Sequence, residues 1–429
     1  MGIAVVLLTL FACFAIGMPI AYGLGVAALA GAYYIGIPPQ AVMLQISSGV
    51  SKFAMLTIPF FVLAGAIMAE GGMARRLVAL ANVLVGFARV RGGLSAVNVL
   101  ATTFLSGISG SAVADTSAIG SVMIPQMEKN GYPRVFATNV TISASVQALL
   151  VPPSHNAVIY SLATGGTISV ISLFMAGVVP GLLLGFSIVV LCLVLAYRNG
   201  HPKGVPVALR TAIPIALDAF WGLVTIVIII GGILSGVFTA IEAGAVACVW
   251  AFLVTMFVYR DYRWGDLPAL IHRTLHTVAM VLTLIAFAAS VGYVMALMQM
   301  PAKVTAFFLL LSHDKYVILM MINVMLLVLG CFMDMAPSIL ITTPILLPVM
   351  TNFGVDPVHF GIIMLLNLGI GLCHPPVGSI IFVGCAIGKV PMEQVVRQIW
   401  PFYLLMFGVL MLVTYVPAIS LWLPRALHL

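Results

Sequence analysis

The sequence predicts an all-α integral membrane protein, built as an inverted-topology repeat with two re-entrant helical hairpins and two broken transmembrane helices. Of its 429 residues, 63% are hydrophobic and only 7% are charged, whereas a soluble domain is about 25% charged. Glycines and prolines recur at a fixed separation along the chain. Two carboxylates, Asp115 and Asp334, lie in apolar segments, where a charge costs roughly 2.5–3.5 kcal/mol and normally faces a cavity or an ion pathway.

The membrane spans follow from segment length, because about 20 apolar residues are needed to cross a bilayer. Spans are predicted at 2–15, 16–37, 53–70, 135–164, 168–197, 211–235, 239–258, 277–299, 357–388 and 396–423. Segments 71–92 and 260–276 are more basic and polar, and we expect them to lie along the cytoplasmic surface. The loop 198–210 joins the two halves. Glu242, at the start of one span, is predicted to cap its helix.

Two further apolar blocks, 94–129 and 316–350, are predicted to be re-entrant hairpins. In the first block a 13-residue arm ends at a Ser/Gly cluster, and 13 helical residues reach only ~20 Å of a ~30 Å hydrocarbon core. The second block has the same form, with its break at 334–337. Irregular backbone at that depth is tolerated only inside protein or beside a cavity, so we expect both tips to be enclosed.

The two hairpins belong to an internal repeat with a shift of 223 residues. The matched pairs are Gly107 with Gly330, Pro125 with Pro348, Met127 with Met350, Gly131 with Gly354, Pro152 with Pro375, Pro153 with Pro376 and Gly165 with Gly388. Six of these seven identities are Gly or Pro, the residues that set backbone breaks. The same shift pairs Ser111 with Asp334 and Asp115 with Ser338, so each hairpin carries one Ser and one Asp on one helical face.

The distribution of basic residues predicts the orientation. With the N-terminus outside, all 18 Lys and Arg residues fall inside except Lys52, Lys303, Lys315 and Arg425, as the positive-inside rule requires. The first hairpin then opens from the cytoplasm and the second from the opposite side, the arrangement of many secondary transporters. The net charge of +7 is thus an orientation signal, and no nucleic-acid partner is expected.

Each repeat also contains a helix broken by paired prolines, at 152–156 and 374–379. Tandem prolines end an α-helix and leave free carbonyl groups before the break and free N–H groups after it. Carbonyl groups suit a small hard cation, and N–H groups with the helix dipole suit a carboxylate. These breaks could therefore hold Na⁺ and an organic anion without an arginine. The alternatives are that the prolines are kinks, and that both Asp residues are satisfied as helix caps.

Six stretches together resemble the large membrane subunit of tripartite ATP-independent periplasmic (TRAP) transporters. They are IPFFVLAGAIMAEGG, SGSAVADTSAIGSVMIPQM, VPPSHNAVIYS, SLFMAGVVPGLLLG, MDMAPSILITTPILLPV and HPPVGSIIF. The resemblance implies an elevator-type transporter, not an enzyme, that imports an organic acid of the C4-dicarboxylate or sialic acid type by Na⁺ symport. It also implies a lipid-embedded protein of the bacterial inner membrane. A periplasmic binding protein would deliver the substrate, and a separate, small four-span membrane subunit would complete the transporter.

The resemblance also implies site residues and a division of the chain. One Na⁺ site would use Ser109, Ser111 and Asp115 with Pro153 and Ser154, the other would use Asp334 and Ser338 with Pro376 and Ser379, and the acid would lie near Ser111, Ser154, Asn156, Gly378 and Ser379. The regions are scaffold helices and a surface arm (1–92), a first transport hairpin with its broken helix (93–165), a linking helix and loop (166–210), further scaffold helices and an arm (211–312), a second hairpin with its broken helix (313–390) and a final helix (391–429).

Three other functions use similar features. An intramembrane aspartyl protease also needs two buried Asp residues, but its glycine–aspartate signature is missing, since Ala114 and Met333 precede the two aspartates. A passive channel and a stand-alone Na⁺/dicarboxylate symporter are the remaining alternatives. Saturable uptake separates a carrier from a channel, and uptake without a soluble partner would identify the stand-alone symporter.

Overall fold

In the computed structural model, residues 2–86, 90–202, 209–375 and 378–429 are described. The first repeat contains α1 (Gly2–Ala15), α2 (Ile20–Tyr34), α3 (Pro39–Val50), α4 (Thr57–Glu70), α5 (Met73–Gly86), α6 (Gly93–Ser109), α7 (Ala112–Lys129), α8 (Arg134–Ser145), α9 (His155–Ala163) and α10 (Val170–Arg198). The second contains α11 (Leu209–Ile226), α12 (Gly232–Leu234), α13 (Ala240–Leu253), α14 (Leu267–Leu297), α15 (Met300–Leu311), α16 (Lys315–Phe332), α17 (Met335–Asn352), α18 (Pro357–Gly371), α19 (Ser379–Gly388), α20 (Met392–Gln398), α21 (Trp400–Tyr415) and α22 (Ala418–Ala426).

The 223-residue repeat is confirmed by the helix boundaries. The shift places the start and end of α7 on those of α17, and the start of α8 on that of α18. Helices α6 and α16 coincide to within one residue in the same way. The few identities that the two halves share therefore mark the positions where the backbone breaks, while the helices between them have diverged in sequence.

Both predicted hairpins are present, because the two arms of each begin and end close together. In the first hairpin (α6 and α7), Nδ2 of Asn98 lies 3.6 Å from Sδ of Met127. In the second (α16 and α17), Nζ of Lys315 donates to the carbonyl oxygen of Gly354 at 3.0 Å. The 13-residue first arm was wrong: α6 has 17 residues and reaches about 26 Å. Its Ser/Gly cluster is helical, and the chain turns only after Ser109.

The two broken helices run antiparallel, as an inverted repeat requires. The guanidinium Nε of Arg134, at the start of α8, donates to the carbonyl oxygen of Gly388 at the end of α19 (2.6 Å). At the other end, the hydroxyl of Tyr160 in α9 donates to the carbonyl oxygen of Pro357 at the start of α18 (2.8 Å). The return arms interleave with them, because α7 packs on α19 and α17 packs on α9.

Several predicted boundaries differ from the structure. The predicted span 396–423 is two helices, α21 and α22, bent by 57°, because Pro417 cannot continue the first. The polar segment 260–276 is largely the first turns of α14, whose polar side masks the helix in an apolar window. Helices α3 and α15 were not predicted, since each has only 12 residues. Residues 203–208 of the predicted loop lie outside the described residues.

Fewer single helices cross a membrane than the sequence predicted. In the described part of the chain, six helical stretches are long and apolar enough to do so, or up to nine if each of three bent pairs forms one span. One such pair is α4 with α5, which meet at 69°. The corner between them is fixed by Arg76, which lies 3.1 Å from Asp218 and 2.5 Å from Asp261.

The crossing of α16 and α18 predicts a stability effect. A β-carbon on Gly371 would lie 2.7 Å from the Cα of Gly330, so Gly371→Ala must force the two backbones apart. We expect it to destabilise the protein by about 1–3 kcal/mol, measured as a lower melting temperature in detergent. The control is Gly408→Ala in α21, where a β-carbon has nothing within 4 Å. Equal melting temperatures for the two variants would contradict the close packing.

Candidate substrate and ion site

A cavity of about 450 Å³ lies where both hairpin tips meet α4, α9 and α14. Its polar lining residues are Ser109, Ser111, Ser117, His155, Asn156, Thr277 and Asp334. The small residues Gly65 and Ala66 of α4 form part of the facing wall. The chain thus brings both hairpins and one helix break to a single chamber, although they are far apart in the sequence.

Asp115 lies in the wall of this cavity, behind the first hairpin tip. Its side chain is completely buried. Its Oδ2 accepts a hydrogen bond from the hydroxyl of Ser106 at 2.6 Å, and its Oδ1 accepts one from the hydroxyl of Ser109. Ser106 was not predicted as a site residue. The signal for it was available, because Ser106 precedes Ser109 by three residues and therefore shares its helical face.

The first hairpin tip rests directly on the first helix break. Gly110 has φ +61°, a conformation that favours glycine, and a β-carbon there would collide with the carbonyl oxygen of Pro153. Ser154 is the N-cap of α9: its hydroxyl donates to the carbonyl of Leu149 at 2.8 Å and accepts from the amide of Ala157 at 3.4 Å. The predicted first set of residues is therefore gathered in one place.

Asp334 and Ser379 come together at the second tip. The Ser379 hydroxyl lies 3.4 Å from Oδ1 of Asp334, whose side chain is open to the cavity. Ser338 is turned differently, because its hydroxyl donates to the main-chain carbonyl of Asp334 at 2.9 Å. Gly378 is buried at the start of α19, where its amide donates to the carbonyl of His374. Pro376 lies outside the described residues.

The helix ends around the cavity give it two electrostatic characters. Helices α7, α9 and α17 all begin at its wall, and helix N-termini carry partial positive charge that attracts anions. Helices α6 and α16 end at the hairpin tips, where free carbonyl groups attract cations. The alternative of capping holds for Glu242, which accepts from the amide of Thr239 at 2.8 Å in a capping box with that residue.

A second cavity, of about 430 Å³, continues the first between α4, α7 and α14. We call it the inner vestibule, and its charged lining residues are Glu70 and Arg273. The prediction that the site involves no arginine holds for the helix breaks but not for this extension. The sequence gave no spacing signal for Arg273, because it reaches the vestibule from α14, 61 residues before Asp334 in the chain.

Paired hairpins, antiparallel broken helices and a shared polar chamber define a secondary transporter of the inverted-repeat class. A family model described as "Tripartite ATP-independent periplasmic transporter, DctM component" matches residues 7–419, and the chain belongs to this family. It is a family of transporters rather than enzymes, which excludes the protease alternative.

Individual proteins agree with this assignment. The chain is 40% identical to the C4-dicarboxylate TRAP transporter large permease protein DctM of Pseudomonas aeruginosa, over 87% of this chain and 86% of that protein. It is 42% identical, over 97% of both chains, to the uncharacterized protein YgiK of Salmonella typhimurium. Among solved structures, the Alcanivorax borkumensis YdaH transporter superposes over 98% of both chains with a TM-score of 0.66 at 15% identity, which shows a common fold.

The hydrogen bonds of Asp115 predict a specific loss of stability. Ser106→Ala leaves a fully buried carboxylate with one of its two hydroxyl donors, and we expect a cost of about 1–3 kcal/mol. The measurement is the melting temperature of the purified protein in Na⁺-free buffer. In the control, Ser145→Ala, the lost hydroxyl only donates to the helical carbonyl of Thr141 (2.8 Å). A Ser106 variant that melts no lower than the Ser145 variant would refute the role of Ser106.

Proposed function

We propose that this chain is the large membrane subunit of a bacterial inner-membrane transporter that imports an organic acid by Na⁺ symport. The observation that carries the proposal is the meeting of two carboxylate-bearing hairpin tips with broken helices around one cavity. The substrate class is supported by relatives named for C4-dicarboxylate, isethionate and 2,3-diketo-L-gulonate transport, all of which are organic acids. A C4-dicarboxylate is the first candidate and a sialic acid the second.

The coupling ions are proposed to bind at the two hairpin tips. At the first tip, Asp115 and the hydroxyls of Ser109 and Ser111 lie beside the carbonyl of Pro153 and the hydroxyl of Ser154. These are all hard oxygen donors, the kind that Group 1 and Group 2 cations prefer. Ser109 now donates its proton to Asp115, and its lone pairs are available to a cation.

The second ion is proposed to bind beside Asp334, with Ser379 at hydrogen-bonding distance. Ser338 and Pro376 complete the set that the repeat predicts. Asp334 faces the cavity directly, so without a cation its charge repels an arriving carboxylate. A bound Na⁺ removes that repulsion, which makes the binding of the ion and the acid cooperative. By linkage the acid must raise the affinity for Na⁺ by the same factor.

The acid itself is proposed to bind among the helix N-termini. Ser111 begins α7, Ser154 and Asn156 lie at the start of α9, and Gly378 and Ser379 lie at the start of α19. Main-chain N–H groups at such positions bind carboxylates. No arginine is needed at this position, since the helix dipoles and the two cations together balance the charge of the acid.

Transport is proposed to follow an elevator mechanism, with regions 93–165 and 313–390 moving against a scaffold that includes α4 and α14. The facing surfaces carry small residues, Ala66 and Ala69 on α4 and Ala114, Ser117 and Ala118 on α7, which permit sliding without interlocked side chains. Because the inner vestibule leads from the cavity toward the basic, predicted cytoplasmic side, we assign this conformation to the inward-facing state. The partners are a small membrane subunit and a periplasmic binding protein.

The test is uptake into proteoliposomes that contain this chain and its small subunit, with the binding protein outside. We expect Asp115→Asn and Asp334→Asn each to lower Na⁺-driven uptake of radiolabelled succinate or isethionate by more than about tenfold, because each removes the charge that holds a cation. Glu393→Gln, which removes an exposed carboxylate on α20, is the control.

Three results would count against this proposal. Uptake that persists at the normal rate in both Asp variants would refute the ion sites. Uptake that never saturates would favour a channel. Full activity without the binding protein would identify a stand-alone symporter.

A further inference from the structure

The inner vestibule carries an exposed ion pair that the proposed transport cycle has not used. Nη2 of Arg273 lies 2.5 Å from Oε2 of Glu70, and the side chains are 61% and 40% exposed. Among the described residues that line the vestibule, Arg273 is the single cation. An anion that leaves the cavity by this route therefore passes one guanidinium group, which is already paired with a carboxylate.

The Glu70 carboxylate is held in place independently of Arg273. The hydroxyl of Tyr262 donates to the same Oε2 atom at 3.0 Å. Burial and the adjacent carboxylate raise the pKa of Tyr262, so the phenol remains a neutral donor at physiological pH. Glu70 can thus keep its position when Arg273 turns toward another anion.

A second ion pair on the same side shows what a structural contact looks like in this protein. The guanidinium of Arg76 is only 16% exposed, contacts Asp218 and Asp261, and lies 3.6 Å from the centre of the Tyr259 ring. It has no room for a ligand. Arg273, in contrast, has one carboxylate partner and is largely open, and such exposed pairs contribute about 0–1 kcal/mol, so a competing anion can replace Glu70.

We propose that Arg273 binds the anionic group of the cargo in the inner vestibule, and that Glu70 competes with the cargo for Arg273 and so promotes its release into the cytoplasm. This inference rests on the proposed function, since it requires an organic anion to move through the cavity. The planar guanidinium forms paired hydrogen bonds to a carboxylate, which favours such cargo over neutral solutes. When the anion leaves, Glu70 takes back the guanidinium.

The experiment measures the affinity of the cytoplasmic side. Proteoliposomes with the complete transporter are loaded with increasing unlabelled succinate, and Na⁺-driven uptake of radiolabelled succinate is started by adding the binding protein outside. Only correctly oriented transporters then contribute. The internal succinate concentration that halves the initial rate reports rebinding from inside. The same assay is run with isethionate.

Opposite effects are expected for the two partners. Arg273→Gln should raise the half-inhibiting internal concentration about three- to tenfold, because a charge-assisted contact is lost, and Arg273→Lys should be intermediate. Glu70→Gln should lower it by a similar factor, because it removes the competitor. The external concentration of loaded binding protein that gives half-maximal uptake should not change. Arg75→Gln, which removes a charge on the same face outside the vestibule, is the matched control.

Two results would overturn the inference and leave the proposed function intact. If Arg273→Gln behaves like Arg75→Gln while uptake continues, the vestibule arginine does not contact the cargo. If both Arg273→Gln and Glu70→Gln shift the value in the same direction, the pair only stabilises the structure, since either variant breaks it. A wild-type complex that takes up neither succinate nor isethionate refutes the proposed function itself, and the inference falls with it.

Discussion

The structure depends on one constraint: a helix that ends inside a membrane must find partners for its free main-chain groups within the protein. This chain ends helices at four such places, two hairpin tips and two proline breaks, and brings them to one region. Gly110 against Pro153 shows how close the approach is. The remaining helices surround this region and keep it from lipid, so the cavity results directly from how the main chain is satisfied.

The two repeats share a backbone plan but use their carboxylates differently. Asp115 is enclosed and receives two serine hydroxyls, while Asp334 faces the cavity with a weaker contact to Ser379. The difference follows from the reversed order of Ser and Asp in the two hairpins. Asp334 occupies the N-cap position of its helix, and Asp115 lies one turn inside. A symmetrical fold thereby provides two unlike positions for a cation.

The sequence was most informative where the chain breaks. Glycines, paired prolines and the two aspartates predicted the hairpins, the broken helices and the repeat, because those residues act through local backbone geometry. It was less informative where tertiary contacts decide. The bend at Pro417, the helical start of α14 and the vestibule position of Arg273 depend on neighbours far away in the chain. Ser106 lies between these cases, since its helical spacing pointed to Asp115 once the turn at Gly110 was known.

The interleaving of the two halves affects how the protein must be made. The return arm α7 packs on α19, and α17 packs on α9, so neither half is finished by itself. Ribosomes complete α7 at Lys129, but α19 begins only at Ser379, an interval of roughly 10–50 s at ordinary translation rates. Throughout that interval the nascent first hairpin lacks the helix that later covers it, and its polar tip needs shelter from the insertion machinery or from a companion subunit.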